Sequence, residues 1–159
     1  QGKFSEAEPL YKRTQEIFEN SLGRDHPNVA IILNNRGFLD HTPGKYAEAD
    51  LLYLRAIEIG EKTLGPDHPN LARRLNNRAG LLSAQGKFSE AEPLYKRTQE
   101  IFENSLGRDH PNVAIILNNR GLLRKYADPL YVRVLEILGA TVGEEHPNYA
   151  STLDNRRGC

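Results

Sequence analysis

Apolar positions along the chain recur at the spacing of amphipathic helices. Between residues 5 and 22 they follow the i, i+3, i+4, i+7 pattern of one helical face, at Ala7, Leu10, Tyr11, Thr14, Ile17 and Phe18. Ser5 and Glu8 are typical of a capping box, and Gly23 is typical of a helix end. His26-Pro27 predicts the turn into the next helix. No stretch alternates with the period of a strand, so we expect an all-α fold.

The helical pattern is itself repeated along the chain. Residues 1–37 are identical to residues 85–121, and residues 43–79 match 1–37 at 21 of 37 positions, so the unit is 42 residues long. A fourth unit has lost six residues between Leu122 and Pro129. We therefore expect a single array of four units, at about 1–42, 43–84, 85–122 and 123–159. The predicted helices are 5–22, 28–41, 47–64, 70–84, 89–106, 112–124, 127–142 and 148–158.

Stacking of such helix pairs buries their apolar stripes and gives an α-solenoid. The unit GKF-SEAEPLYKR-EI-LG-DHPNVA-LNN resembles the 42-residue tetratricopeptide repeat of kinesin light chains. Residues 76–97 are similar to NNRAGLLxxQGKYxEAEPLYxR, a form found in NB-ARC–TPR receptor-like proteins. The resemblance implies a right-handed superhelix of antiparallel helix pairs. It also implies that helices 28–41, 70–84, 112–124 and 148–158 line a concave groove that holds a peptide or a partner helix.

Charge is distributed unevenly between the two kinds of helix. The formal net charge is zero, yet the four groove-lining helices carry eight arginines against two aspartates, a sum of +6. The other helices carry 14 acidic against 7 basic residues. A basic concave wall would attract an acidic ligand. Alternatively, the arginines at the position where the family carries leucine fold back to pair with Glu6, Glu8 or their equivalents. These arginines are Arg36, Arg78, Arg120 and Arg156.

Consecutive asparagines recur in the groove-lining helices. Asparagine is unfavourable inside a helix, and its amide offers a donor and an acceptor to an extended peptide. The alternative role is a hydrogen-bond ladder between units. The residues that we expect to contact a peptide are Asn34, Asn35, Phe38, Arg73, Asn76, Asn77, Asn118, Asn119 and Leu122.

Enzymatic chemistry is not expected from this sequence. The recurring histidines, His26, His68, His110 and His146, belong to units stacked about 10 Å apart, so they cannot share one metal ion and are interpreted as turn residues. No catalytic or phosphate-binding motif is present, and we expect no cofactor. Catalysis needs one site in which different side chains have different roles, and near-identical units do not supply such a site.

We expect a protein-interaction scaffold that binds a peptide or helix, preferably an acidic one. A nucleic-acid-binding repeat and a structural spacer in a larger receptor are the alternatives. Phe38 and Tyr149 are the only aromatic residues of the groove-lining helices, which disfavours base stacking. No run of about 18 apolar residues predicts a membrane span, and a cytoplasmic location is expected. The chain begins with Gln1, so we expect a fragment of a longer protein. We expect copies of this fragment to associate head to tail through their unpaired end helices, and flanking repeats of the full-length protein to suppress that association.

Overall fold

The computed structural model describes residues 2–40, 44–123, 127–141, 143, 147–149 and 151, with side chains omitted for 2–6 and 127–132. Seven helices are bounded within these residues: α1 Gly2–Leu22, α2 Pro27–Leu39, α3 Tyr46–Leu64, α4 Pro69–Ala84, α5 Phe88–Leu106, α6 Pro111–Gly121 and α7 Ala127–Thr141. Residues 147–149 and 151 are also helical, and the rest of the predicted helix 148–158 lies outside the described residues. The prediction of an all-α array is confirmed.

Histidine caps the N-terminus of α2, α4 and α6. The Nδ1 atoms of His26, His68 and His110 accept a hydrogen bond from the backbone N–H two residues on, at 3.2, 3.0 and 3.1 Å. Each cap is followed by proline in the first turn. The backbone N–H groups of a first turn have no acceptor within the helix, so proline, which lacks an N–H, loses no hydrogen bond there. The interpretation of these histidines as turn residues is therefore confirmed; His146 lies outside the described residues.

The predicted capping box was wrong. Helix α1 begins at Gly2, before Ser5, and α5, which has the same sequence, begins at Phe88 with Lys87 as a cap that makes no side-chain bond. The glutamate of the box has other partners in both copies, because Glu8 pairs with lysines and Glu92 pairs with Arg120. Gly23 does end α1, at a φ of 95°, a backbone conformation that favours glycine.

The deletion in the fourth unit shortens helices without abolishing their packing. The predicted helix 112–124 is too long, since α6 ends at Gly121 and has 11 residues where α4 has 16. Helix α7 has 15 residues where α5 has 19. The two shortened helices still pack on each other as an antiparallel pair.

The helices stack in chain order, and each contacts the helix before and after it. We call α2, α4 and α6 the inner helices and α1, α3, α5 and α7 the outer helices. Alanines at matching positions of the unit are almost fully buried, and so small a side chain lets neighbouring helices pack closely. They are Ala30, Ala72 and Ala114 on the inner helices and Ala49 and Ala91 on the outer helices. Leucine and isoleucine side chains fill the space around them.

Arginine at the family's leucine position pairs with the preceding outer helix. Arg78 Nε lies 2.7 Å from Asp50 Oδ1, and Arg120 Nη2 lies 2.5 Å from Glu92 Oε1. Asp50 and Glu92 are the equivalents of Glu8, so the predicted internal pairing is confirmed for these two arginines. For Arg36 the described bond is from its Nη1 to the Gln15 side chain, and the side chain of Glu6, one of its predicted partners, lies outside the described residues. Arg156 lies outside the described residues.

Outer helices are also joined to one another at the same register in successive units. Arg55 Nη1 lies 2.8 Å from Glu19 Oε1, and Arg97 Nη1 lies 2.7 Å from Glu61 Oε1. The pairs are partly exposed, so each contributes little to stability. Their recurrence helps to set the register of neighbouring units.

Glu8 lies between two lysines at the junction of the first and second units. Its carboxylate oxygens are 2.8 Å from Lys12 Nζ and 2.9 Å from Lys45 Nζ. Lys45 Nζ is also 3.3 Å from Oδ1 of the buried Asp40. The hydrogen bond from Lys12, then that from Lys45, lowers the pKa of Glu8 to about 2.

The Arg78–Asp50 pair predicts different costs for two substitutions. We expect the unfolding free energy of Arg78→Leu to be at most about 1 kcal/mol below that of wild type, or above it. Leucine fills the site, and Asp50 remains partly hydrated. Arg78→Ala should lose about 2 kcal/mol, because packing is lost as well as charge. Urea unfolding measures both values. Arg73→Ala, at an exposed arginine of the same helix, is the control and should change stability by less than about 0.5 kcal/mol. An Arg78→Leu chain less stable than Arg78→Ala would contradict this account.

Glu8 predicts a loss of stability in acid. Because its pKa is lower in the folded chain than its usual value of 4.5, its contribution is complete above about pH 4.5 and disappears as the pH falls toward 2. Side-chain carboxyl resonances should show Glu8 titrating near pH 2. Glu8→Gln should reduce the slope of unfolding free energy against pH between 4.5 and 2. An unchanged slope would show that the lysines do not stabilise this carboxylate.

Candidate functional site

The inner helices expose apolar side chains at two repeating positions. Ile31, Arg73 and Ile115 share one position of the unit, and Phe38, Gly80 and Leu122 share another, about two helical turns further on. Ile31 and Ile115 are 50% and 48% exposed, and Phe38 and Leu122 are 63% and 51% exposed. These side chains and Arg73 form what we call the groove face. Side chains this apolar and this exposed are typical of an interaction surface.

Shallow pockets recur on the groove face at the junctions between inner helices. One, of about 150 Å³, lies between α4 and α6 and is lined by Arg73, Asn76, Phe102, Asn112, Ile115 and Ile116. The other, of about 230 Å³, is lined by the equivalents one unit later, among them Ile115, Asn118, Leu138, Asn148 and Ser151. The repeat therefore presents the same concavity at successive junctions. Three of the predicted contact residues, Arg73, Asn76 and Asn118, line these pockets.

Asparagines form a ladder across the inner helices. Asn77 Nδ2 donates to Asn34 Oδ1 at 3.0 Å, and Asn119 Nδ2 donates to Asn76 Oδ1 at 3.1 Å. Both members of a pair take part, the second as donor to the preceding unit and the first as acceptor from the following unit. The alternative role of an inter-unit ladder is thus present.

Between units the ladder uses one amide atom of each side chain, Oδ1 of Asn34 and Nδ2 of Asn77 at the first junction. Within the second unit, Asn76 Nδ2 also donates to Asn77 Oδ1, at the long distance of 3.5 Å. Asn118 Oδ1 is buried and accepts no hydrogen bond from the described residues; its donor by register would be Asn155, which lies outside them. Asn35 is half-buried.

The arginines of the inner helices are largely committed to contacts within the fold. Arg36, Arg78 and Arg120 bond to the outer helix before them, and Asp40 is buried beside Lys45. The +6 charge sum therefore overstated the charge that a ligand meets. Among the described arginines of α2, α4 and α6, Arg73 is the exposed one. Arg124, Arg156 and Arg157 lie outside the described residues.

Arg74 was not among the predicted contact residues, and it is the buried arginine of α4. It is 5% exposed, and its Nη1 donates to the Ala56 carbonyl of α3 at 3.3 Å. Burial lowers its pKa. A comparison of the units could have indicated this burial, because unit two has Gly60 and Arg74 where units one and three have phenylalanine and isoleucine.

The described residues contain no group of three His, Cys, Asp or Glu side chains placed to hold a metal ion. None of the described helices is long and apolar enough to cross a membrane.

Known proteins are similar in repeat and in fold. The family model for the tetratricopeptide repeat matches residues 1–62, 44–104 and 75–129. A comparison with curated proteins finds no match. The crystal structure of BtubC (BKLC) from P. vanneervenii is similar with a TM-score of 0.86 and 25% identity. That similarity covers 99% of this chain, which spans 65% of the length of BtubC.

Two crystal structures of a Podosopora anserina putative kinesin light chain with nearly identical TPR-like repeats share the fold. Each has 22% identity over 98% of this chain and 76% of theirs, with TM-scores of 0.82 and 0.80. The stacked helix pairs, the repeating register and these matches lead to one conclusion: the chain belongs to the tetratricopeptide repeat family, a family of protein-interaction scaffolds, and its solved neighbours carry repeats of the kinesin-light-chain type.

Proposed function

We propose that the groove face binds an extended peptide or a helix that carries apolar side chains and at least one carboxylate. The single observation that supports this most strongly is the pattern of exposure on the inner helices. Apolar side chains that are about half exposed flank the exposed Arg73, and pockets open between them. Apolar anchors supply affinity, and a guanidinium pairs with a carboxylate in bidentate geometry.

Amide side chains complete the proposed peptide site. Asn34, Asn76 and Asn118 lie at one position of successive units, between the two rows of exposed groove side chains. The ladder holds the first two in place, which reduces the entropy lost when they bond to a peptide backbone. Asn35, Asn77 and Asn119 extend the same row.

We further propose a cytoplasmic setting for this scaffold. The chain has a single cysteine, Cys159, so no disulfide can form within it. The similarity of residues 76–97 to NB-ARC–TPR receptor-like proteins makes such a receptor our proposal for the parent protein.

We also propose that the chain associates with itself through its first helix. This proposal rests on a comparison of α1 with α5, two helices that share a sequence. Helices α1 and α5 share the sequence from residue 5 to 22 and from 89 to 106, yet α4 covers α5, whereas none of the described helices covers the matching face of α1. Ile101 is 2% exposed in α5, whereas its equivalent Ile17 is 54% exposed in α1. A helix of the inner type from a second copy fits this face, and such unlike ends join head to tail.

Peptide selection tests the groove. We expect a displayed library of random peptides to be enriched in sequences that combine aspartate or glutamate with large apolar residues. Binding of the selected peptides should weaken as salt rises, because exposed charge pairs are screened. Arg73→Ala should weaken it about fivefold or more, and Phe38→Ser and Leu122→Ser should weaken it through lost apolar contact.

The matched control for the groove is a cation on an outer helix. Lys62 is exposed on α3 and pairs with Glu58, so Lys62→Ala removes one positive charge away from the groove face. Its binding should equal that of wild type. Equal enrichment of basic and acidic peptides, or an equal loss in Lys62→Ala and Arg73→Ala, would overturn the proposal.

Sedimentation across a concentration series tests the self-association. The average mass of the wild-type chain should rise with concentration, and Ile17→Glu should keep it monomeric by placing a charge on the exposed stripe of α1. Ile31→Glu, at an equally exposed isoleucine on the groove face, is the control and should associate as wild type does. A wild-type chain that stays monomeric throughout contradicts this second proposal.

A further inference from the structure

Two positions of the repeat change together in the second unit. Units one and three carry Phe18 with Ile32 and Phe102 with Ile116, whereas the second unit carries Gly60 with Arg74. The phenylalanine and isoleucine of unit three are buried, at 3% and 2% exposure. The second unit thus replaces an apolar pair with a glycine and a cation at a core position.

The arginine occupies the room that the glycine leaves. Arg74 Nη1 donates to the Ala56 carbonyl one turn before Gly60 on α3, at 3.3 Å. A Cβ atom on residue 60 would overlap that same nitrogen, and it would lie only 3.2 Å from a methyl carbon of Leu71. The guanidinium therefore lies directly on the backbone of α3, which only a glycine at this position permits.

This cation has no acidic partner among the described residues. Arg78 and Arg120 each pair with a carboxylate, yet Arg74, at 5% exposure, bonds only to a backbone carbonyl in the described part of the chain. A buried cation without a counter-charge is strongly unfavourable. An anion from outside the fold would remove that penalty.

Register places the guanidinium beneath the groove face. Phe102 and Ile116 line the pocket between α4 and α6 together with Arg73 and Asn112. One unit earlier the same four positions are Gly60, Arg74, Ile31 and Asn70. At the junction of α2 and α4, therefore, Arg74 replaces the apolar base of the concavity, and the exposed Arg73 directly precedes it in the chain.

We propose that Arg74 and Arg73 form an anion-binding site at the junction of α2 and α4 that takes a carboxylate of the bound peptide. This deepens the proposed peptide-binding function and rests on it. Arg74 is bonded to the backbone of α3, and the exposed Arg73 approaches the anion from the surface. Two guanidinium groups offer several N–H donors to the two oxygens of one carboxylate. The site belongs to the second unit alone, so it sets the register of an acidic residue along the groove.

Anion-dependent thermal unfolding of the whole chain tests the site without any peptide. Inorganic phosphate is the probe, compared with sodium chloride at equal ionic strength near neutral pH. An anion with a dissociation constant of about 10 mM, present at about 100 mM, should raise the Tm of the wild-type chain by about 3 °C more than that of a chain lacking the site.

The repeat itself provides the control. The double variant Gly60→Phe with Arg74→Ile restores the pair found in units one and three, so its core is complete and its charge is gone. Arg74→Met is a second variant that keeps most of the volume and serves if the double variant does not fold. Both should show only the general stabilisation that phosphate gives to any folded chain.

The outcomes are separable. A phosphate-dependent rise of equal size in wild type and in either variant overturns the site. If phosphate acts on the wild type but the dicarboxylate glutarate does not, the assignment to a carboxylate is wrong. A response to both anions that both variants lose supports the proposal. Because no peptide is used, failure of the peptide-binding proposal would leave this result unaffected, and the reverse also holds.

Discussion

Close contact between consecutive helices is the constraint on which the rest of the structure depends. Each inner helix lies against the outer helices before and after it, and buried alanines let neighbouring helices pack closely. Because the same register recurs from unit to unit, many side chains one unit apart meet in the same way. The asparagine ladder and the Arg–Glu pairs of the outer helices are consequences of this register.

Much of the fold could be predicted from the sequence because repetition amplifies local signals. A single His-Pro turn is a weak indication of a helix start, whereas three at the same register, each later found as a cap, are strong. The capping box failed since its glutamate is engaged elsewhere, by lysines at Glu8 and by Arg120 at Glu92. Local patterns do not reveal such competition from neighbouring helices.

The site was harder to predict because the sequence does not show whether a charged side chain points into the groove or back toward a neighbouring helix. Counting arginines on the inner helices suggested a basic wall, but Arg78 and Arg120 turn back to carboxylates of the preceding outer helix. Because these two arginines are paired, Arg73 supplies more of the positive charge that a ligand would meet on the groove face. Arg74 was missed for a related reason: its environment depends on Gly60, fourteen residues earlier on another helix, and only a comparison of units reveals the coupling.

The central claim is that the groove face, and not the outer helices, recognises a peptide. Resonance mapping on the isotope-labelled chain tests it most directly, since each asparagine side chain gives its own amide signal. On adding a selected acidic peptide, we expect shifts in the side-chain amides of Asn34, Asn76 and Asn118 and in backbone amides around Phe38 and Arg73. Signals of outer-helix residues such as Lys62 should stay in place. Shifts confined to the outer helices would contradict the account.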